Sequence, residues 1–390
     1  MNSLSNAISA DFLHEFPVNQ QVCYLNHAAV APWPESASKA VADFAMENSA
    51  LGATGYLTWL EKEKSLRKQI AAVIGTQHLD SVALVKNTSE ALSVVAYGLD
   101  WQKDDLILIS DDEFPSNRII WESLAQKFGV QVEQLNIPMG NPEVNFLDAI
   151  SGKTFYQKPK LISVSAVQYA SGIRLNLAKL GKACKDNDVL FCVDAIQAVG
   201  AMPFECDDWH IDFAMADGHK WMLGPEGLGF FFVCQQHIER LNLYQYGWHM
   251  VEHAGNYDLK EWQPAKDAKR FECGSPNILG AHALEASLSL LNKVGLDKVQ
   301  HAIEKNHEYL RQKLVALGAE ILSPDKDQQR AGIVTFRIPG HNSADLYKAL
   351  MAEKVICANR GGGVRFSPHF HTTQEVMDTA IEKLKELIAE

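Results

Sequence analysis

The chain has 390 residues, of which 47% are hydrophobic and 22% charged, values that exclude extensive disorder, fibrous repeats and low complexity. That length exceeds one common core, so a large domain with a smaller companion is expected. A formal net charge of −12 argues against nucleic acid and anionic membranes as partners and directs attention to small molecules, with a local basic pocket still open.

At the start, Met1-Asn2-Ser3-Leu4-Ser5-Asn6 lacks the basic and apolar regions of an export signal, and no later apolar run is long enough to span a bilayer, so a cytoplasmic location is expected. The seven cysteines are odd in number and contain no C-x-x-C pair, which indicates neither a disulfide framework nor a zinc ribbon. Between Tyr24 and Gly280, short apolar β-rich runs alternate with helix-like stretches. That alternation predicts an α/β fold with a mostly parallel sheet flanked by helices. Strands are placed near Val82–Val85, Leu106–Ser110, Leu161–Ser165, Val189–Val193, Phe213–Ala216 and Gly229–Val233, all reading as buried on both faces. From Ile278 to Gly318, apolar residues recur at helical spacing. Candidate strands near Gly332–Ile338 and Val364–Ser367, with a helix from Thr373, then suggest a compact α+β unit. The division expected is a large domain over 20–280 and a small one from 1–19 and 281–390.

Ligands of open α/β sheets collect beyond the carboxyl ends of the strands, so the polar residues that follow each apolar run are the candidates for a site. After Val82–Val85 comes Lys86-Asn87-Thr88-Ser89-Glu90, a strand-to-helix turn in which Asn87 can cap the helix and Glu90 can reach back. Such a helix N-terminus suits an anion, with the Thr88 and Ser89 hydroxyls as further donors; an ordinary N-cap accounts for the same residues. The run Val189–Val193 ends in Asp194, a carboxylate at a buried strand edge that needs a partner. A helix cap or a structural ion pair would serve it as well as a ligand cation. In Asp217-Gly218-His219-Lys220-Trp221 a lysine is enclosed by apolar residues and glycine turns. Burial there would lower its pKa towards the nucleophilic amine that Schiff-base chemistry requires, although a lysine paired with an acid fits the same string.

Taken together, Tyr24-Leu25-Asn26-His27-Ala28-Ala29, Asn87-Thr88-Ser89-Glu90, Asp194-Ala195-Ile196-Gln197-Ala198, Gly218-His219-Lys220 with Gly224-Pro225, and Arg270-Phe271-Glu272-Cys273-Gly274-Ser275-Pro276-Asn277 resemble, in order, the motifs of the class V aminotransferases of pyridoxal-phosphate (PLP) fold type I. That family includes cysteine desulfurases, selenocysteine lyases, kynureninases and isopenicillin N epimerases, and the resemblance spans nearly the whole chain. It implies pyridoxal 5'-phosphate as cofactor. Lys220 would hold the cofactor aldehyde as a Schiff base and serve as general base, Asp194 would partner the pyridine nitrogen, and Gln197 the ring hydroxyl. Thr88, Ser89 and His219 would bind the phosphate, and Phe114 would stack on the ring where desulfurases tend to carry histidine. Ser275 would reach the phosphate of the partner subunit in a homodimer with a shared active site. Arg365 would clamp the substrate carboxylate, with Ala29 and Tyr169 on the substrate side.

Three departures from the family pattern bear on the reaction. Asp217 replaces a serine or threonine that faces the phosphate, and Tyr169 replaces an asparagine. The stretch Arg360-Gly361-Gly362-Gly363-Val364-Arg365 is short and lacks the cysteine that desulfurases carry there, leaving Cys273 and Cys357 as the nearby thiols. Transamination or C–S/C–Se lyase chemistry on an amino acid is therefore expected, with epimerisation or desulfuration as alternatives and a non-catalytic PLP-fold binding protein as the reading from another class. His249-Met250-Val251-Glu252-His253 fits H-x-x-E-H, but Gly247 and Gly255 bracket it as a loop and no metal site is expected. Tyr246 and Trp248 are candidate walls of the substrate pocket, and His369 and His371 are assigned to the surface or to packing.

Overall fold

The computed structural model describes residues 12–389. The opening segment read for an export signal, and residues 1–11 of the expected small domain, lie outside the described residues.

Seven strands form the central sheet: β2 (Val82–Val85), β3 (Leu106–Ser110), β4 (Gln131–Leu135), β5 (Leu161–Ser165), β6 (Leu190–Asp194), β7 (Phe213–Asp217) and β8 (Gly229–Val233), in the spatial order β2-β8-β7-β6-β5-β3-β4. The run from β4 to β7 is parallel, and β8 alone runs against both its neighbours. The strand bounds match the sequence reading to within a residue, because buried parallel strands read as unbroken apolar runs. β4 escaped that reading. Its sequence Gln-Val-Glu-Gln-Leu is polar and half exposed, as suits the outermost strand of a sheet.

A smaller sheet of order β12-β13-β10-β9 is built from β9 (Glu320–Ile321), β10 (Val334–Arg337), β12 (Ala358–Arg360) and β13 (Gly363–Phe366). Beside it, β1 (Cys23–Tyr24) pairs in parallel with β11 (Val355–Ile356), which ties the N-terminal segment to the C-terminal one. Two helices, Ile278–Val294 and Leu296–Ala316, meet at Gly295, whose φ of 90° ends the first. Leu284, Leu288, Leu291, Val299 and Ile303 of these helices belong to the same apolar cluster as Val164, Val193 and Ala214 of the sheet. Leu310 and Leu314 instead join Leu25, Phe336, Val364, Phe366 and Leu384 in a second core. No helix among the described residues is long and apolar enough to cross a membrane.

At the carboxyl end of β3 the chain turns through Glu113, a buried carboxylate that clamps three elements together. Its Oε1 accepts from Ser110 Oγ at 3.0 Å, Ser165 N at 2.9 Å and Gln168 Nε2 at 3.3 Å. Its Oε2 accepts from Asn117 Nδ2 at 2.9 Å and Ser165 Oγ at 2.5 Å. The ends of β3 and β5 and the helix Ser116–Phe128 are thereby held in register beneath Phe114. Glu113→Ala would strand several of these buried donors, and we expect it to cost about 3 kcal/mol of stability or more. Denaturant unfolding would reveal the loss as a lower midpoint.

Candidate active site

A cavity of about 310 Å³ opens beyond the carboxyl ends of the parallel strands, lined by residues from every motif read above except the last. That is within the range of small-ligand sites and in the position an open α/β sheet provides. Ala28, Ala29, Thr88, Ser89, Phe114, Tyr169, Asp194, Gln197, His219, Lys220 and Arg365 all line it. Ser275 does not, and is exposed on the surface of the same chain.

The anion end lies at the helix Thr88–Gly98. Asn87 caps it by accepting from Glu90 N at 2.9 Å, while Glu90 reaches back to Lys86 N at 2.6 Å, one residue beyond the reciprocal cap. The cap leaves the first turn's other N–H groups facing the cavity end with Thr88 and Ser89. Ser89 Oγ donates to Ser116 Oγ at 2.8 Å, and Thr88 Oγ1 accepts from Asp217 N at 3.2 Å. Asp217 lies with Oδ2 3.2 Å from His219 Nδ1, while its buried Oδ1 has no hydrogen-bond partner, nor does His219 Nδ1. The helix N-terminus and the two hydroxyls suit an anion such as a phosphate, which the Asp217 carboxylate beside His219 would oppose.

Asp194 is buried at the end of β6, its Oδ1 accepting from Ile196 N at 3.0 Å. Burial pushes its carboxyl up to about 6, opposed by that hydrogen bond and by the charge of Lys220. Gln197 is oriented without ambiguity. Trp221 Nε1 can only donate, so the Gln197 oxygen must face it at 2.7 Å, and Nε2 then donates to Ala28 O at 3.0 Å. One amide proton of Gln197 is left over for another acceptor.

Lys220 follows β7 in a turn that ends at Leu223, a buried residue held at φ 60° with its N–H on the Lys220 carbonyl. Strained backbone of this kind clusters at functional sites, and no local sequence signal announced it. Lys220 Nζ lies 5.5 Å from the centre of the Phe114 ring. Burial draws its ammonium down to about 8, against the raising effect of Asp194. Arg365, 2% exposed, donates through Nη1 to Tyr169 O at 2.6 Å, while its Nε has no hydrogen-bond partner. Its pKa is lowered to about 10 by burial first and by the charge of Arg360 second. Phe114 packs edge-on against Tyr169, centroids 5.2 Å apart.

Three fully buried histidines brace this floor. His369 Nδ1 accepts from Phe370 N, so its Nε2 carries the proton given to Trp221 O at 3.1 Å. His27 Nδ1 donates to Ser367 O at 2.9 Å, leaving Nε2 to accept from His371 Nε2 at 3.1 Å. Burial holds all three pKa values down, His27 to about 4. Of the two roles expected for His369 and His371, surface or packing, the structure shows packing, in a neutral chain that joins the Asn26–Ala29 loop, Trp221 and the residues after Arg365.

Other sequence candidates fall elsewhere. Tyr246 and Trp248 are 63% and 38% exposed and do not line the cavity. His249 meets Glu63 and Glu272 rather than His253, and Arg67 already bonds both carboxylates, at 2.7 and 2.6 Å. Cys357 is buried, its thiol pushed up to about 12, and neither it nor Cys273 reaches the cavity.

The aminotransferase class-V family pattern matches residues 23–378. The chain belongs to that family. With membership come the family's cofactor, pyridoxal 5'-phosphate, and an enzymatic class of transferase or lyase. Among its relatives is a probable cysteine desulfurase of Pyrococcus abyssi, 29% identical over 400 residues that cover 98% of each chain. The isopenicillin N epimerase of Streptomyces clavuligerus is 26% identical over 386 residues, 95% of this chain and 96% of that one. The apo cysteine desulfurase from Thermococcus onnurineus NA1 superposes with a TM-score of 0.87 at 25% identity, covering 97% and 98% of the two chains.

Asp194 offers a further test of the cavity's electrostatics. Its folded pKa near 6 exceeds the unfolded value of about 3.9. As pH rises from 4 to 6 the unfolded chain therefore releases this proton first, and the folded state loses stability until both forms are ionised. We expect cofactor-free Asp194→Asn to melt higher than the unsubstituted protein at pH 8, with the advantage gone below pH 4, in thermal scans across that range.

Proposed function

We propose that the enzyme acts on an amino acid with PLP held at Lys220, by transaminase or C–S/C–Se lyase chemistry. One observation carries the reading: Lys220 and Arg365, both buried, face one cavity and neither has an ion-pair partner among the described residues. A catalytically silent binding protein has no use for two such cations beside a buried carboxylate, since each costs stability.

The donor set suits the cofactor along its whole length. Thr88, Ser89 and His219 would hold the phosphate, Phe114 the ring face, Asp194 the ring nitrogen and the spare amide proton of Gln197 the ring hydroxyl. Bound there, the cofactor supplies an electron sink that acidifies the proton on the substrate α-carbon. Arg365 binds the α-carboxylate through its planar fork and so fixes which substrate bond faces Lys220. Once the substrate amine has taken its place on the cofactor aldehyde, Lys220 would be a free amine, and a pKa near 8 would leave a useful fraction of it neutral near neutral pH to take the α-proton. Asp194, ionised above about pH 6, stabilises positive charge at the position it faces. Ala29 and Tyr169 border the substrate side, and Tyr169 leaves less room there than an asparagine would.

No cysteine lines the cavity, so sulfur or selenium removed from a substrate would leave in solution rather than on a protein thiol. This disfavours the desulfurase alternative and leaves epimerisation, which needs a proton returned to the opposite face, as the second reading of the same geometry. The exposed Ser275 supports a homodimer in which each copy lends that residue to its partner's phosphate, and seven unpaired cysteines fit a reducing cytoplasm.

The purified protein is expected to show a yellow band that vanishes with borohydride and is missing in Lys220→Ala. A colourless protein that never takes up PLP would overturn the reading. Incubation with single amino acids, followed for sulfide, alanine, keto acid and racemised product, decides among the reactions. Cys273→Ser and Cys357→Ser should each keep activity within about twofold, whereas a persulfide route would lose it in one of them.

A further inference from the structure

The cavity contains a cation for which the reading above has no use. Arg360 lines it beside Arg365, and among the described residues its side chain makes a single hydrogen bond, from Nη1 to the carbonyl of Asn359 at 2.9 Å, and pairs with no acid. The fold places the two arginines as a set. In the β12–β13 hairpin Ala358 is opposite Arg365 and Arg360 opposite Gly363. Side chains alternate faces along a strand, so Arg360, two residues beyond Ala358, shares a face with Arg365 as its diagonal neighbour, about 7–8 Å away along the backbone.

The turn keeps that spacing fixed. Gly361 and Gly362 have φ values of 58° and 77°, the two positive angles of a tight two-residue hairpin that matches the strand twist. A Cβ at Gly361 would lie 3.1 Å from Ala170 Cβ, so the hairpin is packed closely over the chain that carries Tyr169. Depth separates the pair: Arg365 is buried and Arg360 exposed, one at the floor and one at the mouth. Two guanidinium groups on one face repel each other, and a single carboxylate fills only one planar fork.

We propose that Arg360 forms a second anion subsite and that the substrate is an amino acid whose side chain ends in a carboxylate. The inference rests on the assignment of Arg365 to the α-carboxylate.

Holoenzyme titrated with succinate and with butyrate, at constant ionic strength and followed by the visible cofactor band, separates the two claims. The ligands have equal carbon number and differ by one negative charge. Succinate is expected to bind on the order of tenfold tighter or more, as a charge-assisted contact allows. Arg360→Gln should shrink that preference to about threefold or less, with Arg360→Lys in between. Equal binding in the unsubstituted enzyme, or a preference that survives Arg360→Gln, overturns the inference while leaving the role of Arg365 intact. If Arg365→Gln leaves butyrate binding unchanged, the carboxylate assignment itself fails and the inference falls with it. Turnover of aspartate and glutamate against alanine then tests the substrate class. Alanine consumed as efficiently as both would also overturn the proposal.

Discussion

A lysine and an aspartate at the carboxyl end of the central sheet and an arginine of the smaller sheet are buried around one cavity, and two cations facing one carboxylate leave a positive charge uncompensated, a constraint that organises the site. Burial dominates the shift of each: Asp194 is pushed up, Lys220 and Arg365 down. A fold selected for stability alone would replace such groups with apolar ones of similar size. Retaining them makes sense when a ligand supplies the missing partners, so that destabilisation in the empty protein becomes affinity and reactivity in the loaded one.

The charges stay in place because their supports are neutral or saturated. Glu113 accepts five hydrogen bonds and ties the ends of β3 and β5 to the helix that begins below Phe114. His27, His369 and His371 are held neutral by burial and their hydrogen bonds each run in one direction, with that from His369 fixing Trp221 and through it the amide of Gln197. Satisfied polar networks of this kind rigidify a site without adding charge to it. The strained turn at Leu223 puts Lys220 at the focus of these supports.

Much of this was legible in the sequence, for identifiable reasons. Buried parallel strands announce themselves as apolar runs, and polar residues just after them fall at one end of the sheet, so Thr88, Asp194 and Lys220 could be listed before any geometry was known. Contributions that depend on the partner strand could not. β4 is polar because only an edge strand can be, Glu113 matters through donors 3 to 55 residues away, and Arg360 becomes a site residue only through the cross-strand register with Arg365. Packing was among the expectations for His369 and His371, but isolated polar residues in sequence give no sign that they share one buried contact with His27.

The central claim is that Lys220, among all the amines of the chain, is the one that the cavity makes reactive towards PLP. Borohydride reduction of the holoenzyme followed by proteolysis and mass spectrometry tests it directly. The account predicts a phosphopyridoxyl group on the peptide containing Gly218-His219-Lys220 and on no other at stoichiometric yield. A label at a different lysine, or none on that peptide, would contradict it.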